Sequence, residues 1–171
     1  MRRIYLNPGE LYFGEGQVMV ETLLGSCVAI VLRHRARALG GVCHFLLPER
    51  ITHGRGSKAQ DGRYGAEAFG LLLAQARRRG CAIGDFDAKL FGGARVFESS
   101  KVVEGVGESN ARYAEQLLHD AEIPLLSSDL GGVGYRYLRV DLGQGDVWVR
   151  RGYPLLGTPP RFSSANGGGN P

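Results

Sequence analysis

A mixed α/β fold is what this sequence predicts, and three observations predict it. Seven short segments are rich in β-branched or aromatic residues and are bounded by glycines, as strands are. Two longer segments repeat their apolar residues at helical spacing. The strand-like segments lie on both sides of the helical ones and several pair as hairpins would, so mixed sheets are expected and a doubly wound parallel sheet is not.

In chain order, strands are expected at residues 18–20, 28–32, 41–47, 86–91, 95–98, 135–142 and 146–150. The first helix falls between Asp61 and Gly80, where Tyr64, Ala68, Phe69, Leu72, Leu73 and Ala76 share one stripe. Asp61 is its candidate cap, Arg77 to Arg79 suit the negative end of the dipole, and Gly80 stops it. The second helix begins near Ser109 or Asn110, aligns Ala114, Leu117, Leu118 and Ala121, and closes before Pro124. The 27 glycines follow no fixed period and are interleaved with apolar runs, which reads as tight turns and not as low complexity.

A chain of 171 residues, 43% hydrophobic, is large enough to fold around one core without metal or disulfide staples. The expected domain covers residues 1–160. From 161 to 171 the composition, ending in Ser163-Ser-Ala-Asn-Gly-Gly-Gly-Asn-Pro171, predicts a disordered tail. Three cysteines, at 27, 43 and 81, make no disulfide framework and lack zinc-site spacing, so a reducing, cytoplasmic setting is expected. The basic N-terminal tip breaks at Asn7-Pro8-Gly9-Glu10 and is not a signal peptide, and the uncharged run 22–32 is too short to span a bilayer. The net charge of +4 comes largely from Arg33 to Arg37 and Arg77 to Arg79, with no aromatic strip for base stacking, so no nucleic-acid role is read from it. The polar loop 48–62, containing His53-Gly-Arg-Gly-Ser57, reads as a solvated crossover, with a mobile segment over a site as the alternative.

Cys27 carries the chemistry. It follows Gly25 and Ser26 and precedes an apolar run, so a turn of small residues delivers a thiol with little steric cover and with backbone N–H groups free for an oxyanion. A thiol attacks as thiolate and therefore needs a base. His44, set among apolar neighbours in Gly41-Gly-Val-Cys-His-Phe-Leu-Leu-Pro48, is the candidate base; packing as an ordinary core histidine is its plain alternative. His34 lies in a basic turn, His53 in a loop and His119 on a helix surface, so they are weaker candidates. Neither Phe91-Gly-Gly-Ala94 nor Leu130-Gly-Gly-Val-Gly-Tyr135 has the spacing of a dinucleotide or Walker loop.

Taken together, Leu24-Gly-Ser-Cys-Val-Ala-Ile30, the His44 strand, Tyr64-Gly-Ala-Glu67, Lys89-Leu-Phe-Gly-Gly-Ala94 and Asp129-Leu-Gly-Gly-Val-Gly134 resemble the chemoreceptor glutamine deamidases of the CheD family. The resemblance implies a cysteine hydrolase that converts receptor glutamines to glutamates without cofactor or metal, with Cys27 as nucleophile and His44 as general base. The family's third catalytic residue is a threonine shortly before the cysteine; Thr22 is the candidate, and Glu21 the alternative in an ungapped comparison. Gly25, Ser26, Asn110, Ser127 and Asp129 are candidate supporting or substrate contacts. The fold implied is a three-layer α/β/β arrangement similar to the catalytic domains of deamidating necrotizing toxins. The partners implied are a chemoreceptor cytoplasmic helical bundle and a CheC-like phosphatase. Two other classes stand beside this one: a noncatalytic chemotaxis adaptor, and a cysteine amidase or peptidase with another substrate.

Overall fold

The computed structural model describes residues 1–51, 59–96 and 105–152, and the backbone of 162–164. These form β1 (Arg2–Tyr5), β2 (Leu11–Glu15), β3 (Val18–Leu24), β4 (Val28–His34), β5 (Leu39–Phe45), α1 (Gly65–Arg78), β6 (Phe86–Gly92), α2 (Val106–Asp120), β7 (Leu125–Leu130), β8 (Tyr135–Asp141), β9 (Asp146–Gly152) and β10 (Phe162–Ser164). The strands make two mixed five-stranded sheets. An outer sheet has the order β1-β3-β8-β9-β10 and is parallel only at β1–β3; a central sheet has the order β2-β5-β4-β6-β7 and is parallel only at β6–β7.

Burial explains the layering. In β4, Val28, Ile30 and Leu32 enter one apolar cluster while Ala29 and Val31 enter another, so this strand is covered on both faces and reads as a continuous apolar run. The first cluster joins the central sheet to both helices through Phe45, Phe69, Leu72, Leu90 and Leu118. The second lies between the sheets and is built from Val20, Leu24, Val42, Phe91, Leu138, Val140 and Val149. Helices, central sheet and outer sheet are therefore stacked in that order. No helix among the described residues is long and apolar enough to cross a membrane.

Both helices form where the periodicity puts them, with shifted starts. Tyr64, not Asp61, is the N-cap residue of α1; the Asp61 carboxylate is instead occupied by the backbone and side chain of Arg63. α2 starts at Val106, earlier than its polar residues suggest, because Glu108 accepts the Gly105 N–H at 2.8 Å and closes the first turn. Gly107 belongs to that turn for reasons of space: a Cβ there would lie 2.3 Å from the Ala94 carbonyl.

The sequence pattern did not reveal β1, β2 or β7. β1 and β7 are mostly exposed edge strands with polar or charged residues, and β2 follows Pro8-Gly9 and contains Gly14, so none carries a clean alternation. Of the strand expected at 95–98, Arg95 makes only an isolated bridge to Val133, and 97–98 lie outside the described residues. Residues 52–58 of the loop expected at 48–62, including His53, also lie outside them. Within the tail expected from 161, residues 162–164 pair as β10 with the free edge of β9, an association of backbones that needs no apolar pattern; 165–171 lie outside the described residues.

Leu72 is fully buried between α1 and the central sheet. Its replacement in Leu72→Ala is expected to cost about 2–5 kcal/mol of unfolding free energy, read from urea denaturation, through the cavity it leaves.

Candidate active site

The site is assembled from both sheets. β4 and β5 pair antiparallel with Ala29 opposite His44, and Val28 opposite Phe45 is their last paired position. Beyond it the two chains part. Cys43 and Phe45 face the helices, so strand alternation turns His44 toward the outer sheet. Cys27 packs against the intersheet cluster that contains Ala29 and Val31. Cys27 and His44 thus both project toward the layer between the sheets.

Thr22 comes from the opposing sheet. Along β3, Val20, Thr22 and Leu24 are buried, whereas Glu21 is partly exposed and Leu23 exposed. The Thr22 hydroxyl lies 2.7 Å from the Leu6 carbonyl and 2.7 Å from His44 Nδ1. A hydroxyl has one proton to give. The carbonyl can only accept it, so Oγ1 must accept from His44, and Nδ1 carries the imidazole proton. Nε2 is then the basic nitrogen, and it is buried without a hydrogen-bond partner among the described residues. Glu21 lies on the other face of β3 and binds Arg139 at 2.7 Å, so of the two neighbouring candidates only Thr22 touches the histidine.

Three restraints hold the turn that carries Cys27. The Gly25 carbonyl accepts from Ala94 N at 3.0 Å, and the Cys27 carbonyl from Gly93 N at 2.8 Å. The Ser26 carbonyl accepts from Asn110 Nδ2 at 3.0 Å. In a trans peptide the N–H points opposite the preceding carbonyl. With the carbonyls of Gly25 and Ser26 drawn inward, the N–H groups of Ser26 and Cys27 face away from those anchors.

Asn110 is buried in α2 and donates its second Nδ2 proton to the Leu46 carbonyl at 2.7 Å. One amide group therefore spans residues 26 and 46, just where the β4–β5 ladder stops. Asp129 is engaged by Arg136 and Arg151 behind the turn. Ser127 pairs with Lys89, itself opposite Val31, and lies away from the Cys27 end. His34 accepts the N–H groups of Ala36 and Arg37 in a turn, and His119 is exposed. One partner had no visible signal: the Leu6 carbonyl is backbone, and its approach to Thr22 depends on how β1 leads into β2. Arg136 did have one, since it shares the alternating face of Leu138 and Val140.

Burial governs the electrostatics. It depresses His44 from 6.5 to about 4, against a small upward pull from Glu10. Burial also raises the Cys27 thiol, partly opposed by that residue's own backbone N–H. Cys43 is pushed to about 12 in the core and serves as packing. Among the described residues, no group of three or more His, Cys, Asp or Glu could hold a metal ion.

Shallow clefts of about 320 and 440 Å³ run beside the site, lined by Leu47, Pro48, Glu49, Val106, Ser109 and Tyr113 among others. A separate cavity of about 220 Å³, lined by Val31, Lys89 and Asp146, contains none of the groups at the Cys27 end.

A family model described as CheD chemotactic sensory transduction matches residues 46–151. The chain is 41% identical over 151 residues to a protein of Dechloromonas aromatica named "Probable chemoreceptor glutamine deamidase CheD 3", covering 87% of each chain. It is 40% identical over 150 residues to a Pseudomonas savastanoi pv. phaseolicola protein named "Probable chemoreceptor glutamine deamidase CheD", covering 86% of this chain and 83% of that one. With "Probable chemoreceptor glutamine deamidase CheD 1" of Anaeromyxobacter dehalogenans it shares 34% identity over 149 residues, 87% of this chain and 84% of the relative.

The depressed histidine makes stability depend on pH. Unfolded, His44 takes up a proton near its ordinary 6.5; folded, it resists until about 4. The unfolded state binds more protons in that window, so stability falls as pH drops from 6.5 to about 4, by roughly 3 kcal/mol in all. Urea denaturation across the window is expected to show this loss and to show it much reduced in His44→Gln. An equal slope in the variant would assign the effect to another group.

Proposed function

The chain belongs to the CheD family, and on that premise we propose that it is a chemoreceptor glutamine deamidase. In this reading it is a hydrolase that converts selected glutamine side chains of methyl-accepting chemotaxis receptors to glutamate. The observation that carries the assignment to this site is the Thr22–His44 hydrogen bond, which leaves Nε2 as the free base on the face from which Cys27 projects.

His44 Nε2 takes the proton from Cys27 as sulfur attacks the carboxamide carbon. The C=O π electrons move onto oxygen, which the Ser26 N–H meets. The Cys27 N–H is the second donor to that oxygen. Collapse breaks the C–N bond, and the proton held at Nε2 leaves with ammonia. Water then gives a proton to Nε2 and attacks the thioester; as the C–S bond breaks the proton returns to sulfur, leaving glutamate and the starting thiol. A glutamyl methyl ester could enter the same thioester with methanol as leaving group. Thr22 maintains the tautomer, and Asn110 holds the spacing between the turn and the His44 strand.

The clefts along α2 support a route for a receptor helix. Exposed Leu47 and Val106 offer apolar contact, with Glu49, Arg112, Tyr113 and Gln116 beside them. The partners in this reading are the cytoplasmic helical bundle of a chemoreceptor and a CheC-like phosphatase. It places the work in the cytoplasm, in a deamidase unit of residues 1–160 related to the catalytic domains of deamidating necrotizing toxins.

The test incubates the protein with receptor cytoplasmic fragments and follows glutamine-to-glutamate conversion by peptide mass spectrometry. Cys27→Ala and His44→Ala are expected to abolish conversion. Thr22→Val should lower kcat by about 100-fold, while Thr22→Ser, which keeps the bridging oxygen, stays within about fivefold of wild type. Conversion that survives in Cys27→Ala would remove the thioester route.

A further inference from the structure

Arg136 is a charged side chain on the buried face of β8, only 2% exposed, in line with Leu138 and Val140 of the intersheet core. A guanidinium is kept in such a place only where its charge and its donors are met. Here Nε donates to Asp129 Oδ1 at 3.0 Å, Nη1 to the Gly92 carbonyl at 3.4 Å, and Nη2 to the Gly131 carbonyl. The Gly131 N–H also donates to the Gly92 carbonyl at 2.9 Å. One planar fork thus gathers the end of β6, the end of β7 and the start of β8.

The end of β6 is also the support of the nucleophile turn. Gly93 N holds the Cys27 carbonyl and Ala94 N holds that of Gly25. Gly92 has φ +109, and a Cβ on it would lie 2.2 Å from the Cys27 carbonyl oxygen, so the two backbones are in direct contact. Leu24, the residue before the turn, pairs with Arg136 itself. The turn is therefore bounded by Arg136 through the β3–β8 ladder on one side and through Gly92 on the other.

We propose that Arg136 is a positioning residue of the cysteine site: its fork fixes the Gly92–Gly93 corner, and through that corner the placement of Cys27 relative to His44. The kinetic consequence rests on the deamidase reading; the geometric one does not. Lysine would keep the charge and lose the fork, since an ammonium cannot hold three acceptors in one plane. Asp129 anchors the Nε edge, and Arg151 approaches the same carboxylate from the solvent side.

The experiment compares wild type, Arg136→Lys and Asp129→Asn by two readouts: turnover on a receptor fragment, and the rate of Cys27 alkylation by iodoacetamide as a function of pH. In Arg136→Lys, kcat is expected to fall about 10- to 100-fold with KM within about twofold. The alkylation midpoint should move down toward that of an ordinary cysteine as the loosened turn gives the thiol back to water. A role in stability alone would lower the melting temperature and leave both profiles of the folded protein unchanged, and that result overturns the proposal. If Arg136→Lys does not fold, Asp129→Asn decides by the same readouts, and wild-type profiles there overturn it equally. A wild type that alkylates at Cys27 yet converts no receptor glutamine removes the deamidase reading, while the alkylation comparison still decides the role of Arg136.

Discussion

The hydroxyl of Thr22 is the point on which the site depends. It links three pieces of chain that are remote in sequence: β3 of the outer sheet, β5 of the central sheet, and Leu6 in the connection from β1 to β2. Around it the intersheet layer is apolar, so a threonine and a histidine are tolerated there only if their polar atoms are met. The hydroxyl meets two of those demands with one oxygen. What is left over, Nε2, is a buried acceptor without a partner among the described residues, and such a group is costly unless something arrives to use it. The same bond that stabilises the sandwich therefore defines which nitrogen is reactive.

The turn that carries Cys27 is built on a different rule. Its carbonyls are restrained by two backbone N–H groups and one asparagine amide, so the peptide planes are set from behind and their N–H groups are left toward the front. This arrangement needs glycine wherever backbone touches backbone, which is why the corner at the end of β6 is Gly92-Gly93 and why the first turn of α2 contains Gly107. Asn110 completes it at the position where the β4–β5 ladder ends. There a side-chain amide spans two carbonyls that a continued sheet would have had to satisfy, and it ties the Cys27 turn to the chain that follows β5.

Much of this was legible in the sequence because the signals were local. The apolar runs of β4 and β5 and the stripe of α1 depend on period alone, and Cys27 and His44 stand out as reactive types within them. Thr22 against Glu21 was not decidable locally, since adjacent residues of a strand face opposite sides and the facing depends on a register with β8 that only the fold supplies. The edge strands were missed because pairing at a sheet margin needs no apolar alternation. Asp129, a candidate supporting contact by its place in a glycine-rich motif, is the partner of Arg136. That arginine was visible in principle as a charge on an apolar face, a pattern that signals a buried polar network more often than an error of phase.

The resting electrostatics fit a site that acts only on an occupant. Burial favours the protonated thiol of Cys27 and the neutral imidazole of His44, and both directions weigh against a thiolate–imidazolium pair formed in advance. A standing thiolate would react with oxidants and electrophiles at large. In the proposed thioester route, a neutral pair becomes reactive when charge can appear where the Ser26 and Cys27 N–H groups receive it, that is, as the C–S bond forms and the carboxamide oxygen gains its electrons. Stabilisation is then confined to the transition state. A substrate that places a carboxamide against the turn draws on those donors; one that binds the clefts along α2 without reaching the turn leaves both groups neutral and unreactive.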